Sequence, residues 1–183
     1  MQEKELIKKL KKKDKKAFEL LIEKYQNKIF GLINLIIGDP SATEDLAQEV
    51  FLRIFKGIPY FRGKSKLSTW IYRITYNVCM AEIKKSKKAF HIFNNEKMEF
   101  SLNNFHSYIH EKVNKIELEK RIRKILHTLP INYRIVIIFY YWQELTYYEI
   151  AEALKIPVGT VKTYLHRAKK LLKQKILEEK NEL

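Results

Sequence analysis

The chain has 183 residues, 46% of them hydrophobic, which is enough to bury the core of one or two small domains and too apolar for wholesale disorder. Its 36 Lys and Arg against 21 Asp and Glu leave a formal charge of +15, so the expected partner is a polyanion, either nucleic acid or an anionic membrane surface. A cationic surface kept for solubility is the plain alternative.

A single cysteine, Cys79, excludes an internal disulfide and suits a reducing compartment. No segment has the apolar length of a membrane span, and the N-terminus lacks a signal-peptide core, so a cytoplasmic protein is expected. With only five glycines and four prolines there are few turn residues for hairpins, and helical periodicity fills most of the chain. The fold class is therefore all-α.

Taken in order, residues 3–13 predict a short helix with Leu6, Ile7 and Leu10 on one face and a solvated lysine face. Asp14 caps a second helix from Lys15 to Ile37, ended by Gly38. Ser41 and Glu44 have capping-box spacing and predict a third helix to about Gly57, with Leu46, Val50, Ile54 and Ile58 as its apolar stripe. Pro59 opens a loop, 59–66, that mixes aromatics with cations. A fourth helix is expected from about Lys66 to Lys88 on Leu67, Ile71, Ile74 and Val78.

From Ser86 to about His110 the periodicity weakens, and the composition predicts a flexible linker that keeps Phe90, Phe93, Phe100, Phe105 and Tyr108. A helix from Val113 to Leu129 stops at Pro130, and the apolar run 133–142 reads as the buried helix of a second domain. The expected organisation is an N-terminal helical bundle at 1–88, a linker at 89–112 and a smaller C-terminal four-helix domain at 113–183.

Within that domain, residues 146–172 form the most informative stretch. Thr146 and Glu149 make a second capping box, Leu154 to Ile156 a turn, and Pro157 presets the first turn of the next helix. Val161, Leu165, Ala168 and Leu172 form one apolar stripe, and Thr163, His166, Arg167 and Lys170 project opposite, flanked by Lys162 and Lys169. A short capped helix followed by one that is apolar on one side and basic on the other is the layout of a helix-turn-helix DNA reader.

Two further constellations carry chemistry. Asp45, Gln48, Glu49 and Leu52 share one side of the third helix, an acidic and amide patch on a basic protein. It suits docking of a basic protein partner; a solvated face with acids at a helix N-terminus is an equal reading, and a Mg²⁺-binding pair fits worst, lacking further ligands at spacing. The loop Tyr60-Phe61-Arg62-Gly63-Lys64-Ser65-Lys66 offers rings and cations for single-stranded DNA, where each stacked base is worth about 1–3 kcal/mol. Phe61 and Trp70 also fit as core residues, and Trp70, at the edge of the apolar stripe, fits core better. Arg73, Lys84, Lys85, Lys87 and Lys88 form a basic patch for duplex phosphates. A stand-alone helix-turn-helix regulator and a DNA-processing enzyme using Asp45 and Glu49 are the rival classes.

The segments DLAQEVFLRIFKGIPYFRGKSKLSTWIYRITYN (45–77) and LPINYRIVIIFYYWQELTYYEIAEALKIPVGTVKTYLHRAKKLL (129–172) closely resemble bacterial RNA polymerase sigma factors, the extracytoplasmic-function group of the sigma-70 family. The resemblance implies a non-enzymatic promoter-specificity subunit without cofactor or bound metal. By position, Asp45, Gln48, Glu49, Phe51 and Leu52 would dock on the clamp helices of the polymerase β′ subunit, and the C-terminal domain on the β flap. Tyr60, Phe61, Arg62, Lys64, Lys66, Arg73, Asn77 and Lys84 would capture and melt the −10 element. Thr160, Lys162, Thr163, Tyr164, His166, Arg167, Lys169 and Lys170 would read the duplex −35 element.

The linker would thread toward the RNA exit path, an anti-sigma factor is a further partner known in the group, and no stable homo-oligomer is implied. The chain departs from the family pattern at several positions. Thr163 and Tyr164 stand where Ser and Arg are usual, Lys155 where glycine is frequent, Ala81 where Asp is common, and Lys84 and Lys85 where arginines are usual. These departures bear on promoter sequence, not on class.

Overall fold

The computed structural model describes residues 3–93 and 113–181, with side chains over 3–86 and 121–178. Among the described residues there are eight α-helices and no strand. The linker aromatics Phe100, Phe105 and Tyr108 lie outside the described residues.

Helix α1 (Glu3–Lys11) buries Leu6 and Leu10 and ends in a left-handed turn at Lys13, φ 59°. Asp14 then caps α2 (Lys15–Ile37) by accepting from Ala17 N at 2.8 Å. Leu21, Tyr25, Ile29, Leu32, Ile33 and Ile36 of α2 are essentially solvent-free, and full burial of each such side chain is worth about 1.5–3 kcal/mol. Gly38, φ +82°, closes the helix with its N–H on the Asn34 carbonyl.

The expected capping box at Ser41 does not form. Asp39 Oδ1 takes both the N–H (2.9 Å) and the hydroxyl (2.7 Å) of Ser41, so that side chain is spent on an Asx turn. α3 (Thr43–Gly57) therefore starts after Ala42, which gives no side-chain cap. Thr43 instead is buried and donates to Asn34 Oδ1, pinning the start of α3 to the end of α2. The helix continues past Gly57 into a 3-10 turn at Ile58–Tyr60, which absorbs Pro59 in its first residues. α4 runs from Leu67 to Phe93, so the first residues assigned to the linker continue the helix.

α5 (Val113–Thr128), α6 (Ile131–Tyr141), α7 (Tyr147–Leu154) and α8 (Val158–Asn181) form the second group. α6 is its core, with Ile135 through Phe139 all buried. Helices α2, α3 and α4 pack mutually with α1 against α2 and the 3-10 turn, α6, α7 and α8 pack mutually with α5 against α6 and α8, and the two groups also meet: α4 lies against α7, and α2 against α5 and α6. None of the described helices is long and apolar enough to cross a membrane.

Candidate nucleic-acid interface

Three surfaces carry the candidate residues. On α3, Asp45, Gln48 and Leu52 are exposed, and Glu49 is half-buried in an ion pair with Arg53 Nε at 2.6 Å. Phe51 is partly buried against the core and so anchors the helix more than it presents a ring. Phe55, one turn beyond Leu52, is 40% exposed and meets Phe18 edge-to-face at 5.1 Å. Phe55 lies at i+7 from Gln48, so it shares the acidic and amide face, which thus has an apolar centre of Leu52 and Phe55.

The second surface is the 3-10 turn, the loop to residue 66 and the exposed side of α4. Tyr60 is 82% exposed, and Arg62 and Lys64 are exposed around Gly63, φ +67°. Phe61 faces the other way. It is only 4% exposed and packs on Trp70 at 5.2 Å, so it holds the loop down and presents no free face for a base. Trp70 closes over the end of α3, where a Cβ on Gly57 would come within 3.1 Å of its ring. Along α4, Lys66, Arg73, Asn77 and Lys84 recur at seven, four and seven and share one side; Arg73 is half-buried and the rest are exposed.

A residue from α1 completes this loop. Lys66 occupies the N-cap position of α4, its carbonyl accepting from Trp70 N at 3.1 Å, and a lysine side chain caps poorly. The missing acceptor is Glu3, whose Oε1 lies 3.3 Å from Leu67 N. No local sequence signal finds Glu3, because the bond spans the whole N-terminal bundle.

The third surface is the helix-turn-helix. Both halves of the Thr146–Glu149 capping box are made, at 2.9 Å from Thr146 N to Glu149 Oε2 and 3.3 Å from Glu149 N to Thr146 Oγ1. Lys155 ends α7 at φ 54°, a left-handed position that glycine adopts without Cβ strain. On α8, Val161, Leu165 and Ala168 are buried. Thr163, His166, Arg167 and Lys170 are exposed on the opposite side, with Lys162 at its flank and Thr160 half-buried near the start.

Two expected DNA contacts are turned aside. Tyr164 is half-buried and packs edge-to-face on Tyr133 at 5.4 Å. Lys169 holds its ammonium 5.6 Å over the rings of both Tyr140 and Tyr141, and its hydrogen bond to Tyr141 raises its pKa. Tyr140 in turn stacks on Tyr147 at 5.4 Å, so Lys169, Tyr140 and Tyr147 strap α8, α6 and α7 together. Tyr164 and Lys169 sit about 100° and 120° to either side of Thr163 on a helical wheel, which is why they leave the outer face.

Comparisons with known proteins show the family. Residues 21–89 match the family model described as Sigma-70 region 2, and residues 119–172 match Sigma-70, region 4. The chain is 35% identical over 179 residues to the ECF RNA polymerase sigma factor SigW of Bacillus subtilis, covering 94% of this chain and 96% of that one. It is 30% identical to the RNA polymerase sigma-H factor of Pseudomonas aeruginosa, covering 93% of this chain and 92% of that one. Among solved structures, the sigma factor RpoE of Bartonella quintana, in complex with the anti-sigma factor NepR, superposes with a TM-score of 0.74 at 19% identity, over 89% of this chain and 98% of that one. CnrH in complex with the cytosolic domain of CnrY gives 0.70 at 17% identity, over 95% and 96%. At those identities the two structures speak for the shared fold.

Proposed function

Because the chain belongs to the extracytoplasmic-function group of the sigma-70 family, the promoter-recognising RNA polymerase sigma factors of transcription initiation, we propose how its three surfaces divide that work. The observation that carries the division is an exposed acidic and apolar face on α3 in a chain of net charge +15 whose other two candidate surfaces are basic. A face of that sign repels DNA and attracts a basic protein surface. We assign it to the polymerase core at the β′ clamp helices, through Asp45, Gln48, Glu49 and Leu52, with Phe51 behind and Phe55 added.

Tyr60, Arg62, Lys64, Arg73, Asn77 and Lys84 would then hold the melted −10 strand. Extruding a base costs a few kcal/mol of unstacking, which contacts to the flipped base must offset. Thr163, His166, Arg167 and Lys170 would face the −35 duplex, Thr160 and Lys162 would approach from the rim, and the C-terminal domain would also meet the β flap. All chemistry stays with the polymerase, the setting is the cytoplasm, and an anti-sigma factor is a fitting regulator, as NepR is the partner in the Bartonella quintana structure.

Transcription from genomic promoters by core polymerase plus this protein tests the whole assignment, with start sites mapped. Asp45→Ala with Glu49→Ala is expected to weaken core binding at least tenfold while helicity is unchanged. Undiminished core affinity would refute the docking role. Arg167→Ala is expected to cost about 1–3 kcal/mol on −35 duplex and relax sequence preference. Lys170→Ala should weaken binding for all sequences alike and lower the salt slope by about 1.

A further inference from the structure

On the outer face of α8 the chain departs from the family pattern at Thr163, and the structure limits what that side chain can offer a base. Thr163 is exposed, and its Oγ1 donates to the Gly159 carbonyl at 2.9 Å. A hydroxyl carries one proton, so this bond uses the only hydrogen-bond donor of the side chain. Such back-bonding is common for a helical threonine. Its consequence here comes from its place, near the start of the helix assigned to the −35 duplex.

The Pro157 carbonyl accepts from Thr160 N at 2.9 Å and from Val161 N at 3.2 Å, so Gly159 lies in the first turn of α8. Gly159, Thr163, His166, Arg167 and Lys170 fall within about 100° of one another on a helical wheel and share one face. Helical side chains lean toward the N-terminus, which carries Thr163 over Gly159. A Cβ on Gly159 would meet no protein atom within 4 Å. Packing therefore does not demand the glycine, and the surface in front of Thr163 is bare backbone. Together they make a shallow apolar step, with the γ-methyl as its wall and the Gly159 Cα as its floor.

Each base presents a different edge to such a step. In the major groove guanine shows two acceptors, N7 and O6, and adenine shows an N7 acceptor beside an N6 donor. A hydroxyl whose proton is already committed can donate to none of these acceptors. Thymine adds a C5-methyl, which an apolar group reads by contact. Residues at the N-terminal end of a recognition helix are the ones that reach base edges. Serine, usual at this position in the family, has the hydroxyl but no methyl.

We infer that Thr163 is a specificity determinant of the −35 reader: its γ-methyl, standing over the bare Gly159 backbone, selects a thymine by the C5-methyl. The inference rests on the assignment of α8 to the −35 duplex.

The test uses the holoenzyme formed by the full chain and core polymerase, with a promoter whose −35 sequence that holoenzyme has selected from a randomised pool. Each −35 thymine is replaced in turn by deoxyuridine, which lacks only the C5-methyl, and affinity is read by competition. At one position the parent is expected to lose about three- to fivefold, the equivalent of about one buried methyl. Thr163→Val keeps the methyl without the hydroxyl and should keep that preference. Thr163→Ser keeps the hydroxyl without the methyl and should bind thymine and deoxyuridine alike. Gly159→Ala should also lose the preference, because its methyl fills the step, and should do so without a fall in Tm.

A parent insensitive to deoxyuridine at every −35 thymine overturns the inference. So does a preference that survives in Thr163→Ser or Gly159→Ala, or one that is lost in a folded Thr163→Val. Should Thr163→Val lose helicity by circular dichroism, the other two variants decide. Equal binding of the selected −35 sequence by the parent and by Arg167→Ala would instead overturn the assignment of α8 to that duplex.

Discussion

Glu3 shows how a single side chain tunes a site to which it does not belong by sequence. Its carboxylate supplies the N-terminal cap that Lys66 cannot give α4, and so fixes where the loop leaves the helix. A cap is worth about 0.5–2 kcal/mol, and the 3.3 Å bond places this one at the lower end. Glu3→Ala should therefore lower the extent of −10 opening about two- to fivefold, read with a fluorescent base analogue in the −10 strand, at unchanged core affinity. Glu3→Gln keeps an acceptor oxygen and should restore most of the loss. Equal defects in both variants would show that the charge, not the cap, is what matters. Lys169 makes the opposite point. As a strut over Tyr140 and Tyr141 its removal in Lys169→Met should cost stability of the helix-turn-helix while leaving the salt slope of DNA binding intact, whereas Lys170→Ala should lower that slope.

At the scale of the element, Lys155 is the weak joint of the helix-turn-helix. It holds φ 54° where glycine would carry no Cβ strain. Relief of that strain exceeds the entropy glycine adds to the unfolded chain, so Lys155→Gly should stabilise by about 0.5–1 kcal/mol, a rise in Tm of about 1–4 °C by thermal denaturation. A fall in Tm would mean that the lysine side chain makes contacts that matter more. Elements of this kind were legible in the sequence wherever the signal was local. The Asp14 cap, the Gly38 stop, the Thr146–Glu149 box and the α8 stripe each depend on residues within a turn or two, and each forms as expected. Ser41 failed because Asp39, two residues back, competed for the same hydroxyl and amide. α4 outran its expected end because neither glycine nor proline follows Lys88 to stop it. The burial of Phe61, the strap on Lys169 and the reach of Glu3 depend on partners distant in sequence, which periodicity does not encode.

At the scale of the whole molecule, the contact between the two halves contains a titratable group whose charge opposes docking. His127 presents an Nδ1 lone pair to Arg134 Nη1 and faces Asn34 and Gly38 of α2. Burial first, then the Arg134 and Arg123 guanidiniums, lower its pKa from 6.5 to about 4, with the Asn34 backbone bond opposing. When the halves separate, water reaches the ring and its pKa returns toward 6.5. Above about pH 6.5 the ring is neutral in both forms and docking is unaffected. As the pH falls from there through about 4, the separated form takes up a proton that the packed form refuses, and each unit of difference weakens docking by about 1.4 kcal/mol, a figure that solvent screening at this partly exposed ring reduces. Glu149 acts in the same direction at lower pH. Burial pushes its carboxyl up, but Lys66 and the Thr146 bonds outweigh that and hold it below its usual range, so protonating it also removes the Lys66 pair. With a fluorescent donor and acceptor on Gln26→Cys and Lys173→Cys, both exposed, energy transfer between the halves is expected to decline between about pH 6.5 and 5 in the parent and to stay level over that range in His127→Gln, which declines only at lower pH as Glu149 is protonated. A parallel decline in parent and variant over the upper range would assign the effect to carboxylates and remove His127 from the contact between the halves.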